Sequence, residues 1–108
     1  MTQQNQSVVL VKRPVGDATP DCFELQASQL EPLAAGEIRV AVEYISVDAG
    51  TRTMLQGEGF HRQVALGGVV LAGGVGRVIE SQAEGFSVGQ AVRGPLGAQT
   101  IATLKPDF

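Results

Sequence analysis

The sequence contains few of the residues from which metal sites, disulfides and nucleophilic active sites are built. Cys22 is the only cysteine and His61 the only histidine, so neither an intrachain disulfide nor a Cys/His ligand cluster can form. A Ser/His/Asp or Cys/His catalytic arrangement is not indicated either, because the one histidine has no supporting neighbours in sequence. We expect Cys22 to pack as a small apolar residue, His61 to lie in a surface loop, and no metal to bind.

Basic residues are too few and too scattered to form a surface for nucleic acid or membrane. The chain has 8 Lys and Arg against 11 Asp and Glu, a net charge of −3, and it has no tryptophan. A phosphate-binding patch with stacking aromatics is therefore not predicted. The longest apolar-rich stretch, residues 64–79, is interrupted by five glycines and one arginine, which excludes a membrane helix. With no apolar signal core at the N-terminus, we expect a cytoplasmic protein without nucleic acid or membrane partners.

Glycine is abundant, and it punctuates short apolar runs. Fourteen glycines in 108 residues are nearly twice the usual share of about 7%. The runs that alternate or are rich in β-branched residues predict strands at residues 7–13, 22–30, 37–44, 66–81 (two segments joined by a bend), 85–92 (a turn entering a strand) and 98–104. Seven or so short strands with little helix predict a mainly β fold, a small, partly open β-barrel with short helical turns. Residues 1–6 are expected to be a disordered lead-in to one domain over residues 7–108.

Residues 37–54 form the stretch around which we expect the rest to be organised. Alternation predicts one buried and one polar face: Ile38, Val40, Val42 and Tyr44 on the first, Glu37, Arg39, Ala41 and Glu43 on the second. Asp48 follows and is a good N-cap for a short helical segment. Arg52 lies four residues later, which predicts an ion pair with Asp48. The alternative interpretation is that this turn is one wall of a substrate cleft.

The Gly-Val-Gly run at residues 74–76 invites comparison with a dinucleotide-binding fingerprint. That motif needs a third glycine and must open a helix, so that phosphate meets free amides. Here Ile79 occupies the third position, and residues 77–80 continue as a strand pattern. We therefore interpret the run as a structural bend or bulge.

Four runs in the same order resemble a known family. They are LAAGEIRV at 33–40, YISVD at 44–48 continuing as VDAGTR at 47–52, GGVGRVIES at 73–81 and GFSVGQAV at 85–92. Together they resemble the start of a medium-chain dehydrogenase/reductase. The resemblance is closest to the zinc-free branch with leukotriene B4 12-hydroxydehydrogenase/prostaglandin reductases and NADPH-dependent alkenal double-bond reductases. It spans about residues 8–104.

The departures from the family pattern concern zinc and the substrate turn. The zinc branch has a catalytic cysteine before its turn and a later Gly-His-Glu; Ser46 and the glycine-rich run stand in those regions, so neither zinc site is expected. Ala49 and Gly50 replace Pro and Tyr of the branch's V-D-P-Y-M-R turn. Gln90 replaces an aspartate, which we interpret as a surface turn change.

The resemblance implies a GroES-like barrel, followed in the same polypeptide by a Rossmann domain that binds NADP. We therefore expect this chain to be the N-terminal, substrate-side part of a longer NADPH-dependent reductase of activated C=C bonds, inactive by itself and binding no cofactor alone. Its expected cleft residues are Asp48, Gly50, Thr51 and Arg52, beside a small-molecule substrate. The proton donor is not identified, since the register of Tyr44 predicts a core position, and a homodimer is compatible with the family. Two alternatives stay open, a quinone reductase of the same superfamily and a stand-alone GroES-like binding or assembly module.

Overall fold

A computed structural model of the protein describes residues 4–58 and 62–106. Regular structure over these residues consists of six strands, one short α-helix and one 3₁₀ turn. In chain order they are β1 (Gln4–Leu10), the 3₁₀ turn (Pro20–Cys22), β2 (Phe23–Gln29), β3 (Ile38–Ile45), α1 (Ala49–Thr53), β4 (Gly74–Ser81), β5 (Ala91–Gly94) and β6 (Ile101–Leu104). The predicted mainly β fold with short helical turns is confirmed. No helix in the described ranges has the length and apolarity to cross a membrane, and His61 lies outside those ranges.

The strands form two antiparallel sheets that are joined but not closed. β1 pairs with β2, and the other four strands are ordered β5-β4-β3-β6. The sheets meet where the amide of Val8 donates to the carbonyl of Ala98 and the amide of Thr100 to the carbonyl of Gln6, both at 2.9 Å. The result is the predicted open barrel.

The glycine-rich stretch contributes one regular strand to the described structure, not the two predicted. Its first segment makes only an isolated bridge, between Val69 and Val9. The amide of Gly67 donates to the carbonyl of Leu10, but Gly67 has a φ of 83°. That left-handed backbone breaks the extended conformation a ladder needs. The segment therefore follows β1 as a loop, and six strands replace the expected seven.

The predicted lead-in at residues 1–6 is wrong for residues 4–6, which are part of β1. Asn5 is only 8% exposed. Its Oδ1 accepts from the amide of Ile101 at 2.9 Å and from the Thr100 hydroxyl at 3.2 Å, and its Nδ2 donates to Gln99 at 2.8 Å. A polar run was expected to stay in water, but here its side chains replace water with partners from the far end of the chain.

Two apolar clusters make up the core. The first lies between β1 and α1 and comprises Leu10, Cys22, Leu55, Val64, Val70 and Ala98. The second lies under the four-stranded sheet and comprises Ile38, Val40, Val78, Leu96 and Ala102. Cys22 is 2% exposed, which confirms its predicted role as a small apolar residue. Ile38 and Val40 are fully buried, as the alternation predicts.

Arg39 is buried, although the alternation placed it on the polar face. It is 6% exposed, and its guanidinium donates to Glu80 Oε1 at 3.1 Å, to Thr103 Oγ1 at 3.2 Å and to the carbonyl of Glu31. These three partners come from β4, from β6 and from the segment before β3. A charged side chain can be buried in this way when its donors are matched.

Candidate functional site

The turn after β3 is built by a reciprocal capping box. The amide of Thr51 donates to Asp48 Oδ1 at 3.1 Å, and the amide of Asp48 donates to Thr51 Oγ1 at 3.2 Å. Asp48 is therefore the N-cap of α1, as predicted. Sequence reasoning did not predict that the Thr51 hydroxyl accepts from the amide of Asp48. The Asp-x-x-Thr spacing is the signal from which this could have been predicted. The box fixes the direction in which the chain leaves the carboxyl end of β3.

The predicted Asp48–Arg52 ion pair is wrong. Among the described residues the ion pairs are Lys12–Asp21 and Arg39–Glu80. Arg52 Nη2 instead donates to the carbonyl of Gly16 at 2.7 Å. The Asp48 carboxylate already accepts from Thr51, and a five-residue helix gives Arg52 no long exposed face to share with it. Arg52 thus ties α1 to the loop between β1 and β2.

A cavity of about 390 Å³, here called the inner groove, lies between α1, β1 and this loop. Its walls are Val8, Ala18, Phe23, Ile45, Val47, Asp48, Thr51, Arg52, Leu55, Val70, Ala72 and Ala98. Three of the four predicted cleft residues therefore lie together on one wall. Gly50 is not among the lining residues. The walls are otherwise apolar, and Leu55, Val70 and Ala98 belong to the first core cluster.

The polar side chains of the inner groove are engaged with their own neighbours. Asp48 and Thr51 hydrogen bond to each other's backbone amides. Arg52 uses Nη2 on Gly16, and its Nη1 is buried without a partner. What the groove presents to a ligand is therefore mainly hydrocarbon, which favours apolar ligands.

A second, wider cavity of about 600 Å³, here called the outer groove, lies at the carboxyl end of β3. It is lined by Tyr44, Ile45, Ser46, Gly73, Gly74, Val75, Arg93 and Gly94. Sequence reasoning did not assign a site here. Tyr44 on β3 is opposite Val75 on β4, and Val75 is opposite Arg93 on β5. The lining residues of the outer groove therefore come from three neighbouring strands. Ile45 lines both grooves, which makes them neighbours.

The predicted core position of Tyr44 is wrong. Its side chain is 76% exposed. The register of β3 on β4 shifts between Val42 and Tyr44, and such a bulge interrupts the alternation that starts at Ile38. The glycines of the partner strand, which allow β3 to approach closely, were the signal that pairing here would be irregular.

The Gly-Val-Gly run is not a phosphate loop. β4 begins at Gly74 and continues as a strand to Ser81, which confirms the structural interpretation. A Cβ on Gly74 would lie 2.7 Å from the carbonyl oxygen of Tyr44, and one on Gly76 would lie 2.2 Å from that of Ala41. Glycine is needed at these positions because β3 approaches closely. The predicted surface role of Gln90 also fits, since it is exposed and its Oε1 accepts from the amide of Ser87 at 3.1 Å.

Residues with metal-ligand chemistry are not gathered in the described structure. Within residues 4–58 and 62–106 no three His, Cys, Asp or Glu side chains are grouped to hold an ion. Cys22 is enclosed by the first core cluster. The absence of a bound metal stays a prediction, tested below by elemental analysis.

Sequence comparison relates the chain to larger reductases. The family described as the N-terminal domain of oxidoreductase matches residues 6–107. NADPH-dependent curcumin reductase of Escherichia coli (strain K12) is 32% identical over 98 residues, 90% of this chain and 28% of that protein. Prostaglandin reductase 1 of Bos taurus is 33% identical over 94 residues, 87% of this chain and 27% of that protein. The chain thus spans little more than a quarter of the length of these curated relatives.

Structural comparison gives the same relationship. The crystal structure of CurA from Vibrio vulnificus superimposes with a TM-score of 0.90 at 31% identity, covering 95% of this chain and 31% of that chain. The structure of the same protein in complex with NADPH gives a TM-score of 0.88 at 29% identity, covering 94% and 31%. The chain belongs to the N-terminal domain family of oxidoreductases, as a GroES-like domain in the zinc-independent branch of the medium-chain dehydrogenase/reductases.

Proposed function

We propose that this chain is the substrate-side domain of an NADPH-dependent oxidoreductase that reduces activated carbon–carbon double bonds in enones or alkenals. The observation that carries this proposal is the pair of neighbouring grooves at the carboxyl end of β3, one apolar and one bearing hydroxyl groups. The names of the relatives, a curcumin reductase and a prostaglandin reductase, support this class of reaction. The complex of CurA with NADPH supports the cofactor.

The described residues do not fit a dinucleotide. The glycine run that could approach a pyrophosphate is inside β4, and Cβ positions there meet the backbone of β3 rather than open space. The single α-helix of the described ranges, α1, has five residues and an N-terminus closed by its own capping box. In the proposed enzyme the cofactor is bound by a further, Rossmann-type domain of the same polypeptide.

The contribution of this chain to the chemistry is a place for the substrate and a donor for its carbonyl oxygen. When an enone is reduced at its β-carbon, negative charge develops on that oxygen and needs a hydrogen bond. Tyr44 and Ser46 line the outer groove with hydroxyl groups. A phenol hydroxyl is a stronger hydrogen-bond donor than an alkyl hydroxyl, because its ring delocalises charge from the oxygen. We therefore assign the donor role first to Tyr44.

The test compares two proteins, the 108-residue chain and the polypeptide translated from the complete coding region that contains it. Each is incubated with NADPH and a set of enones, and NADPH absorbance is followed. We expect turnover by the longer polypeptide only, and a lower kcat for its Tyr44→Phe variant. Turnover by the 108-residue chain, or a coding region that adds no cofactor-binding domain, contradicts the proposal. Reduction of quinones but not enones assigns the protein to the quinone reductases.

A further inference from the structure

One edge of the smaller sheet is open along its whole length. The seven residues of β2 pair with β1 from Phe23 to Gln29, and the described structure contains no further main-chain hydrogen bond to residues 24–29. Every residue of β2 after Phe23 is exposed, so both faces of the strand are in water. The edge strands of the larger sheet, β5 and β6, have only four residues each. β2 is therefore the longest edge strand in the described structure.

The free main-chain groups on this edge include those of Leu25 and Ala27. Residues that lie opposite each other in antiparallel strands alternate between pairs that exchange hydrogen bonds and pairs that do not. The amide and carbonyl of Val8, opposite Leu25, bond to residues on the far side of β1, and so do those of Gln6, opposite Ala27. Leu25 and Ala27 therefore direct their amides and carbonyls outward, whereas those of Gln26 face β1.

β2 lacks the features that usually protect an edge strand from pairing. Its sequence, FELQASQ, contains no lysine and no proline, and Glu24 is its one charged residue. Its register with β1 contains no bulge, in contrast to β3, whose register shifts twice against β4. A long, regular edge of low charge is a template for a further strand.

We propose that a second copy of this chain pairs with this edge, with the two β2 strands antiparallel about a two-fold axis at Gln26. In this symmetric register each of the seven residues of β2 lies opposite a residue of the other copy. Leu25 exchanges hydrogen bonds with Ala27 of the second copy, and their apolar side chains lie side by side. Glu24 lies opposite Ser28 of the second copy, so no like charges meet. This match of β2 with itself is what selects a second copy as the partner.

Pairing at this edge enlarges the sheet. Two two-stranded sheets become one antiparallel sheet, and a sheet of three or more strands is more stable than a two-stranded one. The contact is centred on one strand of each copy, so it is smaller than the standard interface of about 1,600 Å². We therefore expect a weak dimer, with a dissociation constant of roughly 0.1–1 mM. The contact does not depend on the proposed reaction.

An exchange of charge at Gln26 tests the register. The Gln26 side chains of the two copies lie directly opposite each other, in a pair without hydrogen bonds, where side chains are closest. Sedimentation equilibrium of the 108-residue chain from about 10 µM to about 1 mM should show association of the unaltered chain. Gln26→Lys and Gln26→Glu alone should each raise the dissociation constant about fivefold or more, because like charges directly opposite are destabilising. An equal mixture of the two variants should associate at least as strongly as the unaltered chain.

The same charges placed elsewhere are the matched control. Gln82 is exposed and directly follows β4, so Gln82→Lys and Gln82→Glu should leave the dissociation constant unchanged. Three results overturn the inference: a chain that stays monomeric to about 1 mM, Gln26 variants that associate as the unaltered chain does, and a mixture of those variants that does not recover association.

Proline at Ala27 tests the outward amide. Ala27→Pro removes this N–H and no bond to β1, and an edge strand tolerates proline at such a position. It should therefore abolish association with little change in the melting temperature. Ala27→Ser keeps the amide and should associate as the unaltered chain does. Association of a folded Ala27→Pro chain overturns the inference. The Gln26 variants leave every main-chain group in place, so they decide the question if proline prevents folding.

Hydrogen exchange distinguishes a second copy from a strand that the longer polypeptide supplies itself. In the longer polypeptide, NMR should show that the amides of Leu25 and Ala27 exchange rapidly at low concentration and become protected as concentration rises. The amide of Gln26, which faces β1, should be protected throughout. Protection of Leu25 and Ala27 at every concentration means that another segment of the same polypeptide covers the edge. No protection at any concentration means that the edge stays free, and either result overturns the inference.

Discussion

Gly76 is the position where a single methyl group should cost the most stability. It lies in β4 opposite Val42. A Cβ there would lie 2.2 Å from the carbonyl oxygen of Ala41, 3.0 Å from the carbonyl carbon of Ala41 and 2.8 Å from Val40 Cγ1. The nearest atoms belong to the backbone, so a change of side-chain rotamer cannot relieve the clash. β3 and β4 must separate or shift register.

The expected magnitude follows from two contributions. Overpacking a well-filled site costs about 1–3 kcal/mol. Displacing β3 from β4 also weakens ladder hydrogen bonds, each with a net contribution of about 1 kcal/mol. We therefore expect Gly76→Ala to lower the free energy of unfolding by roughly 2–4 kcal/mol, a large part of the ~5–15 kcal/mol typical of a domain.

Gly73→Ala is the matched control, three residues earlier in the same run. A Cβ at Gly73 has no heavy atom within 4 Å, and its φ is outside the left-handed region. Alanine there should be neutral or stabilise by up to about 1 kcal/mol, because it restricts the unfolded chain. Urea denaturation of both variants measures the difference. If the free energies of unfolding of the two variants agree within about 0.5 kcal/mol, the reasoning from the close approach of β3 to β4 fails.

Three further predictions concern the cap, a surface ion pair and metal. Asp48→Ala should lower the free energy of unfolding in urea denaturation by about 1–2 kcal/mol, more than His61→Ala or Arg77→Ala. It should also lower kcat/KM in the longer polypeptide, because small misplacements of groups at a cleft are costly. An unchanged free energy of unfolding together with lost turnover would show that the role of Asp48 is catalytic and not capping. The hydrogen bond from Lys12 holds the pKa of Asp21 below its usual 3.8, so the resulting stability is present above the unfolded pKa and is lost as pH falls through the folded one. Lys12→Met should raise that pKa in a carbon-detected NMR titration, and an unmoved titration contradicts the assigned cause. Elemental analysis after dialysis should find less than stoichiometric zinc, and one zinc per chain contradicts the family assignment of the turn.

The features that could be predicted from the sequence are those determined by neighbouring residues. The N-cap role of Asp48 follows from one side chain and the amides two or three positions later. The burial of Ile38 and Val40 follows from alternation alone. That Gly74 begins a strand, and not a phosphate-binding loop, follows from the strand pattern immediately after it.

Most of the errors involve partners distant in sequence; the exception is the missing strand before Gly74, where the left-handed backbone of Gly67 is a local cause. Tyr44 is exposed because the register on β4 shifts, and nothing within β3 itself encodes that shift. Arg39 can be buried because its guanidinium donates hydrogen bonds to oxygens of Glu80, Thr103 and Glu31. Arg52 bonds to Gly16, 36 residues away, in preference to the local carboxylate. The outer groove was missed for the same reason, since three strands and a bulge must be assembled before it exists.

The bonds of Asn5 have a consequence for the order of events during synthesis. Its partners lie 94–96 residues later, so β1 completes its pairing only when β6 has also left the ribosome. Until then β1 can pair only with β2 and with the irregular segment at residues 67–70, and a two-stranded hairpin is marginally stable. Closing such distant contacts late makes folding slow and leaves strand edges open in the meantime. We therefore expect the nascent chain to be most prone to aggregation before β6 emerges.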